Sequence, residues 1–146
     1  MVGRFTSHPL ELPGAEHRFE RADLIFYGLD HSGASYEAQV FMGARGVGGD
    51  PGPEHRAYVG SFFILGHGGC FGDVGHCDVP SARDPFDLRP VHQLEPAVRI
   101  LTVTEPLRAM LEQGLTAAKV TVVAQTEGRA SDEVLSFRTI RLATYA

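Results

Sequence analysis

The sequence predicts an all-β fold: an antiparallel β-sandwich, jelly-roll-like, with one short helix near residues 105–113. Three observations lead there. Apolar and β-branched runs of strand length recur along the chain, one stretch alone has helical spacing, and Gly/Pro clusters separate the runs. With 146 residues, 43% hydrophobic and 21% charged, the chain has the size and composition of a single soluble domain, 1–146.

Residues 1–15 read as an N-terminal extension before the first strand signal. "HRFERADLIFYGLD" (His17–Asp30) and "SYEAQVFMG" (Ser35–Gly43) flank "HSGA", whose Gly33 suits a turn, so the two read as a hairpin. Residues 43–55, "GARGVGGDPGPEH", form a long loop with the Gly/Pro composition of a mobile segment. "RAYVGSFFILG" (Arg56–Gly66) is the third strand, and Tyr27, Phe62 and Phe63 read as core aromatics rather than ligand-stacking ones. Residues 66–96 then run without strong strand signals. A connection of that length is expected to be functional or internally pinned.

"AVRILTVT" (Ala97–Thr104) is the fourth strand. Thr104 is placed to cap "EPLRAMLEQG", with Pro106 in the first turn and Gly114 at the far end. Leu107, Met110 and Leu111 share one helical face, which would cover an end of the core. "AKVTVVAQT" (Ala118–Thr126) alternates Val120, Val122 and Ala124 with more exposed positions, the pattern of a half-buried strand. "VLSFRTIRLAT" (Val134–Thr144) completes the set.

The net charge of −5, a single lysine (Lys119) and the lack of any basic cluster argue against a nucleic-acid or anionic-membrane partner. No apolar run reaches the length of a membrane span, and the start lacks a secretory signal. A cytoplasmic location is therefore expected, although export alongside a partner would leave no trace in the chain. Phosphate-loop, G-x-S-x-G and H-E-x-x-H motifs are missing, as is an H-x-H pair.

Chemistry concentrates in "GHGGCFGDVGHCDVP" (Gly66–Pro80), which holds both cysteines and two of the seven histidines. His67, Cys70, His76 and Cys77 follow the spacing H-x2-C-x5-H-C. Thiolate and imidazole suit zinc or copper(I), and the neighbouring glycines allow the backbone to wrap around an ion. His92 could replace one ligand, and Asp73 adds an oxygen donor. The spacing is not that of a standard zinc finger, and adjacent His76 and Cys77 would need a bend to meet one ion. The same residues admit a Cys70–Cys77 disulfide, two buried thiols beside polar turn histidines, or a nucleophilic Cys70 with His67 or His76 as its base. These readings stay open.

"YVGSFFILGHGGCFGDVGHCDVP", "FDLRPVH", "RILTVTEPLRAMLEQG" and "KVTVVAQT" together resemble the C-terminal domain that follows the dicopper domain in tyrosinase and polyphenol oxidase family proteins. The plant version shares the order of strand, leucine helix and V-T-[VL]-V strand, and the bacterial version looks closer, Gly/His/Cys loop included. The resemblance covers roughly Phe19 to Leu142. It implies a β-sandwich that packs over a dicopper site and shields it or assists its maturation. The catalytic half, with its six histidines on a helical bundle, is not in this sequence, which has no H-x3-H pair. The resemblance therefore implies a free-standing accessory protein with a separate dicopper oxidase as its partner, and the soft donors of the loop add metal binding, with copper or zinc as the expected ion. The alternatives are a small metal-dependent enzyme of secondary metabolism using the His/Cys loop, or an interaction module without metal. A homodimer through an open edge strand is a generic expectation.

Overall fold

The computed structural model describes residues 2–68, 73–75, 84–88, 94–126 and 134–146. Its described strands form two sheets in which every pairing is antiparallel. The first holds β1 (Val2–Thr6), β2 (Leu10–Glu11), β4 (Tyr36–Gly43), β5 (Tyr58–Ile64) and β7 (Ala117–Gln125) in the order β1-β7-β4-β5, with β2 also on β7. In the second, β6 (Ala97–Thr102) and β8 (Thr139–Tyr145) flank β3 (Arg21–Leu29). One helix, α1 (Thr104–Glu112), joins β6 to β7. The expected all-β class with a short helix is what the structure shows.

The core lies between the sheets. Period-2 alternation puts Ala22, Leu24 and Phe26 of β3 against Ala38, Val40 and Met42 of β4 and Val120, Val122 and Ala124 of β7, all buried. The Phe26 and Phe62 rings meet across this space at 4.9 Å. Leu107 and Met110 of α1 enter the same core. Full burial of side chains this size contributes about 1.5–3 kcal/mol each, which anchors α1 to the core.

Several expectations change. The anticipated β3–β4 hairpin does not form: β3 belongs to one sheet and β4 to the other, so residues 30–35 arch between layers. Both strands are apolar on an inward face, and facing each other across the core buries those faces better than pairing edge to edge. The supposed N-terminal extension carries β1 and β2, which run along the outer edge of β7. They are a single edge path broken near Pro9, which lacks an N–H for the ladder. Ser7 bridges the break, donating its N–H to Val120 O and accepting the Val120 N–H on Oγ, both at 2.9 Å.

Strand β7 is buried on both faces rather than half-buried, with Thr121 and Val123 as enclosed as Val120 and Val122. The 43–57 loop explains this. It turns back over the outer face of β4 and β7, where Val47 N–H bonds Thr121 Oγ1 at 3.0 Å and the Phe41 ring packs on His55 and Tyr58. Thr104 does not cap α1. Its Oγ1 accepts the Ala22 N–H at 3.0 Å, tying the helix to β3, while Val103 occupies the N-cap position without a side-chain bond. Of the three aromatics read as core, Phe62 is buried, Tyr27 is half-buried and Phe63 faces outward.

Candidate functional site

The start of the Gly/His/Cys segment is clamped to the 30–35 arch. Strand β3 bends out of its ladder at Gly28, whose φ of +70° favours glycine and where a Cβ would lie 2.8 Å from Arg138 Cβ. Asp30 then closes a turn, its Oδ1 accepting the Ser32 N–H at 2.9 Å and hydroxyl at 2.7 Å. Those two bonds, the backbone one foremost, hold the Asp30 carboxyl below the usual carboxylate range. Onto this arch comes the chain leaving β5. Gly66 N–H bonds Ser35 Oγ at 2.9 Å, His67 N–H bonds His31 O at 3.0 Å, and Gly68 N–H bonds Gly33 O at 2.8 Å. The approach is so close that a Cβ on Gly66 would overlap the Gly33 carbonyl oxygen and the Ala34 backbone.

Two imidazoles meet here, with ring centroids 5.0 Å apart and planes inclined by 57°. His31 Nε2 lies 2.7 Å from Glu95 O, and His67 Nδ1 lies 3.2 Å from His31 O. A carbonyl can only accept, so each ring donates one N–H and, in its neutral form, carries the lone pair on its other nitrogen, Nδ1 of His31 and Nε2 of His67. An N–H held by a backbone carbonyl is the arrangement that orients metal-binding imidazoles. The donor chemistry thus fits a borderline or soft cation, though two nitrogens need further ligands. Among the described residues, no group of three or more His, Cys, Asp or Glu side chains is placed to hold an ion.

Beside the arch, Tyr36 opens β4 with 4% of its surface exposed, and its hydroxyl has no hydrogen-bond partner. Burial, reinforced by the Asp30 charge and partly opposed by Arg99, pushes this phenol up to about 12.

Of the residues singled out in the sequence, the structure places His67 in this cluster and leaves Asp73 exposed. Cys70, His76, Cys77 and His92 lie outside the described residues. Sequence reasoning missed His31. It stands far from His67 in the chain, and no ligand spacing marks it.

No protein-family model and no curated protein sequence matches the chain. Solved structures do. Recombinantly expressed latent aurone synthase, a polyphenol oxidase, superposes with a TM-score of 0.60 at 16% identity over 98% of this chain. The same enzyme from its natural source gives the same figures. This chain has the fold of a polyphenol oxidase segment. That segment is 24% of the solved chain, so the present sequence spans about a quarter of the proteins it matches. No described helix is long and apolar enough to cross a membrane.

Proposed function

We propose that this chain is an accessory domain of a dicopper oxidase, docking over the oxidase through the segment between β5 and β6 and binding copper or zinc in its His/Cys loop. One observation carries the docking. Among the described residues nine large apolar side chains are exposed, and seven of them lie from Phe63 to Ile100. Leu65, Phe86 and Leu88 are exposed by 81%, 89% and 96%. Large apolar side chains exposed this fully and in this number support an interaction surface. The likeness to a quarter of latent polyphenol oxidases supports the same reading, because a segment of that kind sits beside an oxidase unit in the family.

The metal part rests on the donor set. His31 and His67 offer two oriented lone pairs at the root of a loop whose Cys70, His76 and Cys77, with His92 beyond, supply soft and borderline ligands. When bound, a closed-shell ion would cross-link the loop, and copper(I) held by thiolates would be available for transfer to a partner.

The test pairs this chain with the dicopper oxidase encoded in the same reading frame or beside it. The expected result is a complex that slows catechol oxidation, lost in the Leu65→Asp/Leu88→Asp variant although its circular dichroism is unchanged. A genome neighbourhood without a dicopper oxidase, or a complex indifferent to that variant, overturns the docking. Elemental analysis after growth in copper and zinc checks the ion separately: about one equivalent is expected, and less in Cys70→Ser/Cys77→Ser.

A further inference from the structure

A groove of about 710 Å³ lies at the other end of the sandwich from the His31–His67 cluster. The strand registers fix this separation. Leu29 pairs with Ala97 and Tyr36 with Ile64, at the end of the 30–35 arch, whereas Asp23 with Thr102 and Phe41 with Tyr58 lead to α1 and the 43–57 loop. One wall is α1 and the other is the 43–57 loop.

Its lining divides into two chemistries. Met42 and Met110, the only methionines besides Met1, form an apolar floor with Val59 and Leu115. Methionine is flexible and polarizable, and so adapts to a ligand's shape. Arg45 and Arg56 line the loop side. Both are exposed, and neither is paired with a carboxylate among the described residues. His55 adds a third donor. Its Nδ1 accepts the Ala57 N–H at 3.1 Å, which leaves the proton of the neutral ring on Nε2. Among the described residues no Asp or Glu lines the groove, although the chain carries 18 of them and a net charge of −5.

The walls are held in place. Val47 N–H is bonded to Thr121 Oγ1, Met42 N–H to Ala57 O at 2.8 Å, and the Arg4 guanidinium to Gly49 O. A preformed cleft of this size, with an apolar floor and a few polar groups of one sign, is the usual form of a small-molecule site.

We propose that this groove binds a small amphipathic organic acid, its carboxylate held by Arg45 and Arg56 and its apolar body laid on Met42, Met110 and Leu115. Guanidinium forks match carboxylates in a bidentate fashion, which sets the orientation. The site is independent of the docking and metal chemistry proposed above.

The experiment titrates the isotopically labelled chain with 4-phenylbutyrate and with its uncharged counterpart 4-phenyl-1-butanol, following backbone amide shifts. Saturable shifts confined to residues 42–59 and 106–115 are expected for the acid, with the alcohol about tenfold weaker, the worth of a charge-assisted bond. Arg45→Gln/Arg56→Gln should weaken the acid to the level of the alcohol and leave the alcohol unchanged. Ala109→Trp, on the exposed groove side of α1, should exclude both ligands. Absence of saturable binding, an affinity for the acid unaltered by loss of the arginines, or shifts centred on residues 63–100 would each overturn the proposal. The last two outcomes leave the oxidase docking intact, so the two readings fail separately.

Discussion

The hydroxyl of Tyr36 is shut away from water and bonded to nothing, an uncommon state for a buried polar group. Its desolvation has no compensating bond, so removing it relieves a cost. Tyr36→Phe is expected to raise stability by about 1 kcal/mol in chemical denaturation. A destabilised variant would show that the oxygen is used. The pH dependence follows from the same burial. The folded phenol titrates near 12, above its ordinary value of 10.0, so the unfolded chain ionises first. This contribution to stability is complete below pH 10 and disappears as the pH rises towards 12. Tyr36→Phe should therefore lose less stability than the parent across that window, and identical alkaline profiles would contradict the assignment. Asp30 works in the opposite direction: with its folded pKa lowered, its contribution is present above the ordinary carboxylate value and fades as the pH falls through the folded one.

At the level of elements, the junction between the arch and the chain leaving β5 depends on one missing side chain. Gly66→Ala must push its Cβ into the Gly33–Ala34 backbone, and rigid backbone on both sides leaves little room to yield. A loss of about 1–3 kcal/mol is expected from thermal or denaturant unfolding, and an unchanged midpoint would show that the clamp is loose. Little in the sequence marks Gly66 out from the other glycines of its loop. The strands themselves were legible, because β-branched and aromatic alternation is a local property of β3, β4, β5, β6 and β7. Their partners were not. "HSGA" has the length and glycine of a hairpin turn, and only the demand to bury Leu24 and Phe26 against Val40 and Val122 decides that it spans two sheets. The helix is legible in the spacing of Leu107 and Met110, but the cap expected at Thr104 is not made because its hydroxyl serves Ala22, 82 residues away. The same non-locality hid His31, which joins His67 through the fold and through no spacing in the chain.

For the whole molecule, the two ends of the sandwich have different characters. One carries the imidazole pair, and the other carries the arginine-lined groove. The core between them draws on both sheets and α1, and among the described residues none of its buried members falls between Ile64 and Val103. His31 holds both ends of the 66–96 connection, its carbonyl taking His67 N–H and its ring donating to Glu95 O. Replacing residues 69–94 by a short Gly/Ser linker should accordingly preserve cooperative unfolding. Loop closure changes by only about 0.6 kcal/mol for each halving of length, so the midpoint should move little. Failure of that variant to fold would place the connection in the core after all. If it folds, the sandwich is a frame that stands without the connection it carries. Sequences of other lengths and ligand sets could be seated between His67 and Glu95, so that binding chemistry could be exchanged by substitution at a single place without redesigning the two sheets that carry it.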